Sequence, residues 1–233
     1  MPGPRRDLDG VLRRCPLFAG VDAPTLAECA GLLSLRRYRK GETIFHQGDT
    51  GDALFVIESG AVKIVLPSPG GEEEAIIATL RPGDWFGELA LVDGADRSAT
   101  AIAHEATAAY RLNRRDFERL MDSKPQLRVA LLEALARELR RLTRHVDEMH
   151  FLNLPGRLAL RIVSLAREAD PTATGEVRLP WQFSQSELAG MIGGTRPTVN
   201  RMLSGFADEG LLRIDRDLLV VPDLERLERV AER

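Results

Sequence analysis

Between Leu35 and Asn113 the apolar residues come in short runs, some continuous and some alternating. They read "YRKGETIFHQGD", "ALFVIESGAVKIVL", "EAIIATLRPGD" and "SATAIAHEATAAYRLN". Gly41, Gly48, Gly60, Gly70, Gly71 and Gly83 fall at the breaks, where a positive φ costs glycine little. Many short strands with glycine turns predict a β-barrel or jelly roll. Ahead of them, "LFAGVDAPTLAECAGLL" predicts a short helix capped by Asp22, with Pro24 in its first turn.

From about Lys124 to His150 glycine vanishes and Ala, Leu, Arg and Glu take over. Leu132, Leu135, Leu139, Leu142, Val146 and Met149 recur at gaps of three and four. This is an a/d heptad seam over about 18 residues. Leu131 and Ala134 widen the apolar face near its start. A helix lying on its own domain and a two-chain coiled coil both fit. We expect a mixture, in which the seam pairs two subunits and the widened end packs on the barrel. "FLNLPGR" ends the pattern. Asn153 can cap a new helix with Pro155 in its first turn, which makes this stretch a hinge candidate.

In the C-terminal zone, Ser184 and Glu187 have capping-box spacing. The helix they start, "SELAGMI", ends at Gly193-Gly194, and Thr195 caps a second, "RPTVNRMLSGFADEG". Two short helices joined by a glycine turn predict a helix-turn-helix, held together by Leu188, Ile192, Val199 and Leu203. "LLRIDRDLLVV" then reads as a small β-hairpin, a wing.

Composition narrows the function. The formal charge is -3, so no global basic field advertises nucleic acid. From Phe151 onward eleven basic residues meet twelve acidic ones. DNA binding must therefore rest on local placement. Arg196 and Arg201 can project from the second helix while Val199 and Leu203 point inward, and an arginine in the major groove can bond guanine O6 and N7. Ser186, Thr195 and Thr198 can bond phosphates. A solvated helix with two surface arginines fits the same pattern. Cys15 and Cys29 form no metal-binding cluster. They read as buried hydrophobes, and His46, His104, His145 and His150 read as ordinary residues. No signal-peptide pattern and no apolar run of about 18 residues is present, so the expected location is cytoplasmic, without a membrane partner. Walker A, G-x-S-x-G and H-E-x-x-H motifs are absent, so we expect no catalytic site and no enzyme.

The stretch "GDWFGELALVDGADRSAT", Gly83 to Thr100, mixes core residues with Glu88 and Arg97. Its "GELA" can form one helical turn with free amides, an anion site. Arg97 can neutralise a phosphate, with Ser98 and the Ala99 amide as further donors. Glu88 then needs a donor of its own, which a ribose 2′-hydroxyl supplies. The spacing fits a structural Glu88–Arg97 salt bridge equally well.

Three segments together resemble the CRP/FNR family of bacterial transcription regulators, over about residues 11–222. "RPGDWFGELALVDGADRSATAIA" resembles its phosphate-binding cassette, "ARELRRLTRHVDEMHFLNLPGR" its dimer helix and hinge, and "SQSELAGMIGGTRPTVNRML" its helix-turn-helix. The resemblance implies an α+β fold. It comprises a cyclic-nucleotide-binding β-roll (1–123), a dimerisation helix and hinge (124–152) and a winged helix-turn-helix (153–233). It implies a homodimer that binds double-stranded palindromic DNA and meets RNA polymerase, with cyclic AMP as allosteric ligand and no covalent cofactor. Gly87, Glu88, Leu89 and Ala90 would approach the nucleotide, and Arg97, Ser98 and Ala99 its phosphate. Leu142 and Thr143 stand where family members reach adenine, and Leu142 cannot hydrogen-bond a base. Cyclic GMP, cyclic di-GMP or no effector at all therefore stay open. So does a nucleotide-binding module acting on a protein partner. Oxygen sensing is disfavoured because the N-terminal cysteine cluster is missing. In the reading helix Arg196 and Arg201 match base-contacting arginines, with Thr195, Thr198 and Ser186 beside them. Pro197 replaces a cytosine-reading glutamate.

Overall fold

A computed structural model describes residues 8–18, 20–67, 74–181 and 183–231. Gly70 and Gly71 lie outside the described residues. The chain divides into two compact units, 1–140 and 141–233.

The first unit opens with α1 (Leu8–Arg14), a 3-10 turn (Pro16–Phe18) and α2 (Ala23–Leu32). Asp22 caps α2 as expected, its carboxylate accepting from the Thr25 amide at 2.8 Å. Strands β1 (Ser34–Tyr38), β2 (Thr43–Phe45), β3 (Ala53–Ser59), β4 (Val62–Pro67), β5 (Glu74–Leu80) and β6 (Trp85–Phe86) follow. Then come α3 (Leu89–Asp93), β7 (Thr100–Ala103), β8 (Thr107–Asn113) and α4 (Arg114–Ser123). The strands form two four-stranded antiparallel sheets, ordered β1-β8-β3-β6 and β2-β7-β4-β5.

Strand β3 shows why "ALFVI" is continuously apolar. Alternate side chains leave a strand on opposite faces, and here both faces are covered. Ala53, Phe55 and Ile57 enter one core with Val62, Phe86, Ala101 and Ala109. Leu54 and Val56 enter a second with Leu12, Cys15, Leu26, Phe117, Leu120 and Leu127. The helices therefore clamp the outer face of one sheet, and the roll interior lies on its other face. Both cysteines sit in the helical core, where burial pushes the Cys15 thiol up to about 12 and the Cys29 thiol up to about 11. They behave as small hydrophobes. Helix α4 was not foreseen. Asn113 caps it through the Asp116 amide at 2.9 Å, and Phe117 and Leu120 turn inward.

Helix α5 runs from Pro125 to Phe151 and crosses the division between the units. Its start is buried at Leu127, Ala130, Leu131 and Ala134, and Leu135 packs partly on the same core. Beyond that, Leu132 and Leu139 are 66% exposed and Val146 is 65% exposed. These three lie seven residues apart and form an exposed apolar row along the helix.

The second unit continues with α6 (Leu154–Ala169), β9 (Val177–Pro180), α7 (Gln185–Ile192) and α8 (Arg196–Asp208). It closes with β10 (Arg213–Asp215), β11 (Leu218–Val221) and α9 (Leu224–Ala231). Asn153 caps α6 by accepting from the Gly156 amide at 2.9 Å, with Pro155 in the first turn. Strand β9 pairs with β11, so the expected hairpin is part of a three-stranded sheet ordered β10-β11-β9. Arg216 turns that hairpin at φ 53. Helix α9, also unforeseen, packs Leu224 and Leu227 into the core, and Arg167 and Glu228 join its flank by two 2.7 Å bonds. No helix among the described residues is long and apolar enough to cross a membrane, and none of their His, Cys, Asp and Glu clusters could hold a metal ion.

Leu54 is fully buried between strand and helices. Leu54→Ala should destabilise the first unit by about 2–5 kcal/mol. Urea denaturation of the two proteins side by side measures the difference.

Candidate functional site

The segment between β6 and β7 is shaped by two constraints. Gly87 sits at φ +83, and a β-carbon on it would lie 2.7 Å from Arg97 Nη1 and 3.2 Å from the Ala53 carbonyl. Only glycine lets the backbone pass this close to the guanidinium. Helix α3 ends at Gly94 in the left-handed region, and the chain returns so that the Arg97 amide donates to Asp49 O at 2.8 Å. That return directs the Arg97 side chain into the roll, where it is 3% exposed. Nη1 donates to Gly87 O at 2.6 Å and Nη2 to Ala53 O at 2.7 Å. The Phe45 ring lies under the guanidinium, 4.1 Å from centroid to Cζ, a cation–π contact. Nε is buried without a hydrogen-bond partner among the described residues. Burial works against the charge, and Asp52 and then Glu88 work for it.

Glu88 stands at the N-terminal edge of α3, partly buried. Burial raises its carboxyl from an ordinary 4.5 to about 7, with Glu138 pushing the same way. Its own backbone amide and Arg97 pull it back. Glu88 and Arg97 thus feel each other's charge, yet neither side chain is spent in a direct salt bridge between them. Around them, Ala90 is buried against Gly51, Leu89 and Ser98 are exposed, and Gly87 and Ala99 are partly buried. Leu142 and Thr143 are exposed on α5 in the second unit. A buried cation with a free polar atom, beside a half-neutral carboxyl, is suited to an anion that carries a neighbouring hydroxyl.

In the second unit the capping box forms at both ends. The Glu187 amide donates to Ser184 Oγ at 3.2 Å, and the Ser184 amide donates to the Glu187 carboxylate at 2.8 Å. Gly193 turns the chain at φ 67. Thr195 occupies the cap position of α8, but its hydroxyl pairs with that of Thr198 at 3.0 Å instead of the helix amides. Leu188, Ile192, Val199 and Leu203 are buried between the helices. Ser186, Thr195, Arg196, Pro197 and Arg201 are exposed and Thr198 is partly so. Neither Arg196 nor Arg201 makes an ion pair among the described residues.

Four participants escaped the sequence reading. Phe45 and Asp52 adjoin Arg97, and Asp52 also receives Arg111 Nη2 at 2.6 Å. Strand alternation carried a signal for Arg111, since it shares a face with Ala109, an interior residue. The fourth is Arg157 at the hinge. It donates to Leu152 O at 3.1 Å and to Ile192 O at 2.8 Å, and touches Met149 Sδ. One side chain so joins the end of α5 to the turn between α7 and α8. Nothing in the one-dimensional pattern marks it.

A model of the cyclic nucleotide-binding domain matches residues 35–124, and one of the Crp-like helix-turn-helix domain matches residues 156–230. The CRP-like cAMP-activated global transcriptional regulator of Mycobacterium tuberculosis is 32% identical over 224 residues, 96% of this chain and 100% of the relative. The chain belongs to the CRP/FNR family of transcriptional regulators. It is a regulator and not an enzyme, with the α+β architecture expected. Another family member, the Thermus thermophilus catabolite activator protein, has a crystal structure similar over 93% of this chain and 98% of its own, at 33% identity and a TM-score of 0.54. The c-di-GMP responsive global regulator of Xanthomonas campestris shares the fold at a TM-score of 0.74 and 22% identity, over 86% of this chain and 99% of its own.

Between pH 4.5 and about 7 the folded chain holds a proton on Glu88 that the unfolded chain has released. That contribution to stability is complete below 4.5 and is lost as pH rises through 7. In thermal melts from pH 4.5 to 8, Glu88→Gln should flatten this decline relative to the wild type.

Proposed function

We propose that the chain is a homodimeric regulator whose roll binds a cyclic nucleotide, cyclic AMP first among candidates, and whose helix-turn-helix reads a palindromic operator. The observation that carries this reading is the buried Arg97 guanidinium, aligned by Gly87 O and Ala53 O with Nε unspent beside Glu88. Phosphate would meet Arg97, Ser98 and the Ala99 amide. The ribose hydroxyl would meet Glu88, with Gly87, Leu89 and Ala90 supplying backbone. The M. tuberculosis relative is described as cAMP-activated, which supports the choice of base.

The exposed row Leu132, Leu139 and Val146, with Leu142 beside it, supports pairing of two α5 helices along a heptad seam. Thr143 lies on the same exposed stretch and would reach the base. Ligand binding would shift a population toward the DNA-competent state, setting the two recognition helices about 34 Å apart. RNA polymerase is the partner this reading implies at a promoter. Leu142 favours a second reading, in which an apolar dimer helix is active without effector. A salt-dependent shift of palindromic DNA separates both from a module that serves a protein partner.

Calorimetry with cyclic AMP, cyclic GMP and cyclic di-GMP tests the sensor. The wild type should bind cyclic AMP, and Arg97→Gln should lose about 1.5–3 kcal/mol of that binding, as expected for charge-assisted bonds. Heat from none of the three would favour the effector-free reading.

On DNA, Arg201→Ala should cost about 1–3 kcal/mol and relax one base pair per half-site. Fluorescence anisotropy on single-substituted operators reads this. Equal weakening on every sequence would count against base reading.

A further inference from the structure

Arg97 is accompanied by an anion of the chain's own. Asp52 Oδ1 lies 3.6 Å from Arg97 Nη2, while Asp52 Oδ2 accepts from Arg111 Nη2 at 2.6 Å. One carboxylate thus spans a buried guanidinium and a more exposed one, with its tighter hold on the outer. The carbonyls of Gly87 and Ala53 orient Arg97 but carry no net charge to balance it. The Asp52 backbone is fixed, since its carbonyl accepts from the Arg114 amide at 2.8 Å and Arg114 Nη2 grips Gly51 O at 2.7 Å. Its side chain is 68% exposed and can swing.

We propose that Asp52 is a resident counter-anion of Arg97, drawn away by Arg111 when a nucleotide phosphate takes its place. The inference rests on the cyclic-nucleotide reading and adds two residues to it. Two guanidinium groups and one carboxylate leave a single positive charge, which one cyclic phosphodiester balances. While Asp52 stays near Arg97, an incoming phosphate meets both repulsion and a partly occupied cation. Asp52 therefore lowers affinity, and Arg111 restores it by holding the carboxylate aside. Both are positioning residues. Neither needs to touch the ligand.

A purely structural role gives the opposite sign. If Asp52 only propped Arg97 in place, its loss would loosen the guanidinium and weaken binding. The experiment is calorimetry with cyclic AMP on full-length wild type, Asp52→Asn, Arg111→Gln and the double variant, each shown by thermal melting to be folded. Asp52→Asn should tighten binding about fivefold, and Arg111→Gln should weaken it by about the same factor, the scale of a partly exposed ion pair. In the double variant Arg111 has nothing to hold, so its affinity should match Asp52→Asn. The inference is overturned if Asp52→Asn leaves binding unchanged or weakens it. It is equally overturned if Arg111→Gln costs the same with and without Asp52, since a general field effect is additive. Those outcomes, with normal wild-type binding, leave the nucleotide reading intact. A wild type that takes up no cyclic AMP, cyclic GMP or cyclic di-GMP removes that reading and this inference with it.

Discussion

A guanidinium buried inside a β-roll is a demanding group, and the design around Arg97 follows from meeting its demands. A charge taken out of water must find hydrogen bonds and a counter-charge nearby. Two carbonyls, the face of Phe45 and the carboxylate of Asp52 supply them here. Each partner constrains another part of the unit. Gly87 must be glycine because a β-carbon would strike Nη1. Gly51 must be glycine because its own β-carbon would collide with that of Ala90 on α3. The return of the chain at Asp96 and Arg97 pairs it with Asp49 and Thr50, which fixes where the side chain enters.

The sequence revealed much of what depends on local chemistry, although Thr195 turns its hydroxyl to Thr198 and not to the amides of α8, and the Asn113 cap of α4 went unread. Caps at Asp22, Asn153 and Ser184 sit where short polar side chains precede apolar runs, because capping needs only neighbours three residues away. The glycine turn at Gly193 is legible for the same reason. Helices α1, α4 and α9 were hidden. They are short, and their apolar residues are few against many charges, as in "RRDFERLMDS" and "LERLERVA". Only the surfaces they cover explain them. At the site, Glu88 and Arg97 stood out as charges within an apolar loop. Asp52, Arg111 and Phe45 did not, because strand pairing brings them in from 14 to 52 residues away. The heptad pattern was read as one seam, yet Leu135 faces the protomer's own core and Met149 is engaged by Arg157. Periodicity alone cannot assign neighbouring helical positions to different partners.

The hinge shows how a boundary can be stiff and movable at once. Helix α5 ends at Phe151 and α6 begins at Leu154, with Asn153 capping the new helix. If nothing else joined them, α6 could pivot freely on two residues. Arg157 instead bonds the carbonyl of Leu152, just past the end of α5, and that of Ile192, the last residue of α7, where helix C-termini leave acceptors unpaired and favour cations. Such a contact breaks or holds as a unit. It ties the helix-turn-helix of the second unit to the last turn of α5 through a single side chain.

Near-neutral charge in the second unit looks at first like evidence against DNA binding. The distribution of the acids answers it. Glu187 is spent in the capping box, Glu228 on Arg167, Glu176 on Arg178 and Glu168 on Arg161. Asp170 and Asp223 accept from backbone amides of their own turns. Arg196 and Arg201 on α8 are left without an ion pair among the described residues, flanked by Pro197, which bears no charge. Phosphate contacts respond to the local field within about a Debye length, roughly 8–10 Å, so the balance over the whole unit matters less than the unpaired arginines on one helix. Acids held in ion pairs or turns away from α8 weigh less on the field at that helix than its own two arginines, and a regulator can stay acidic overall while presenting a basic reading head.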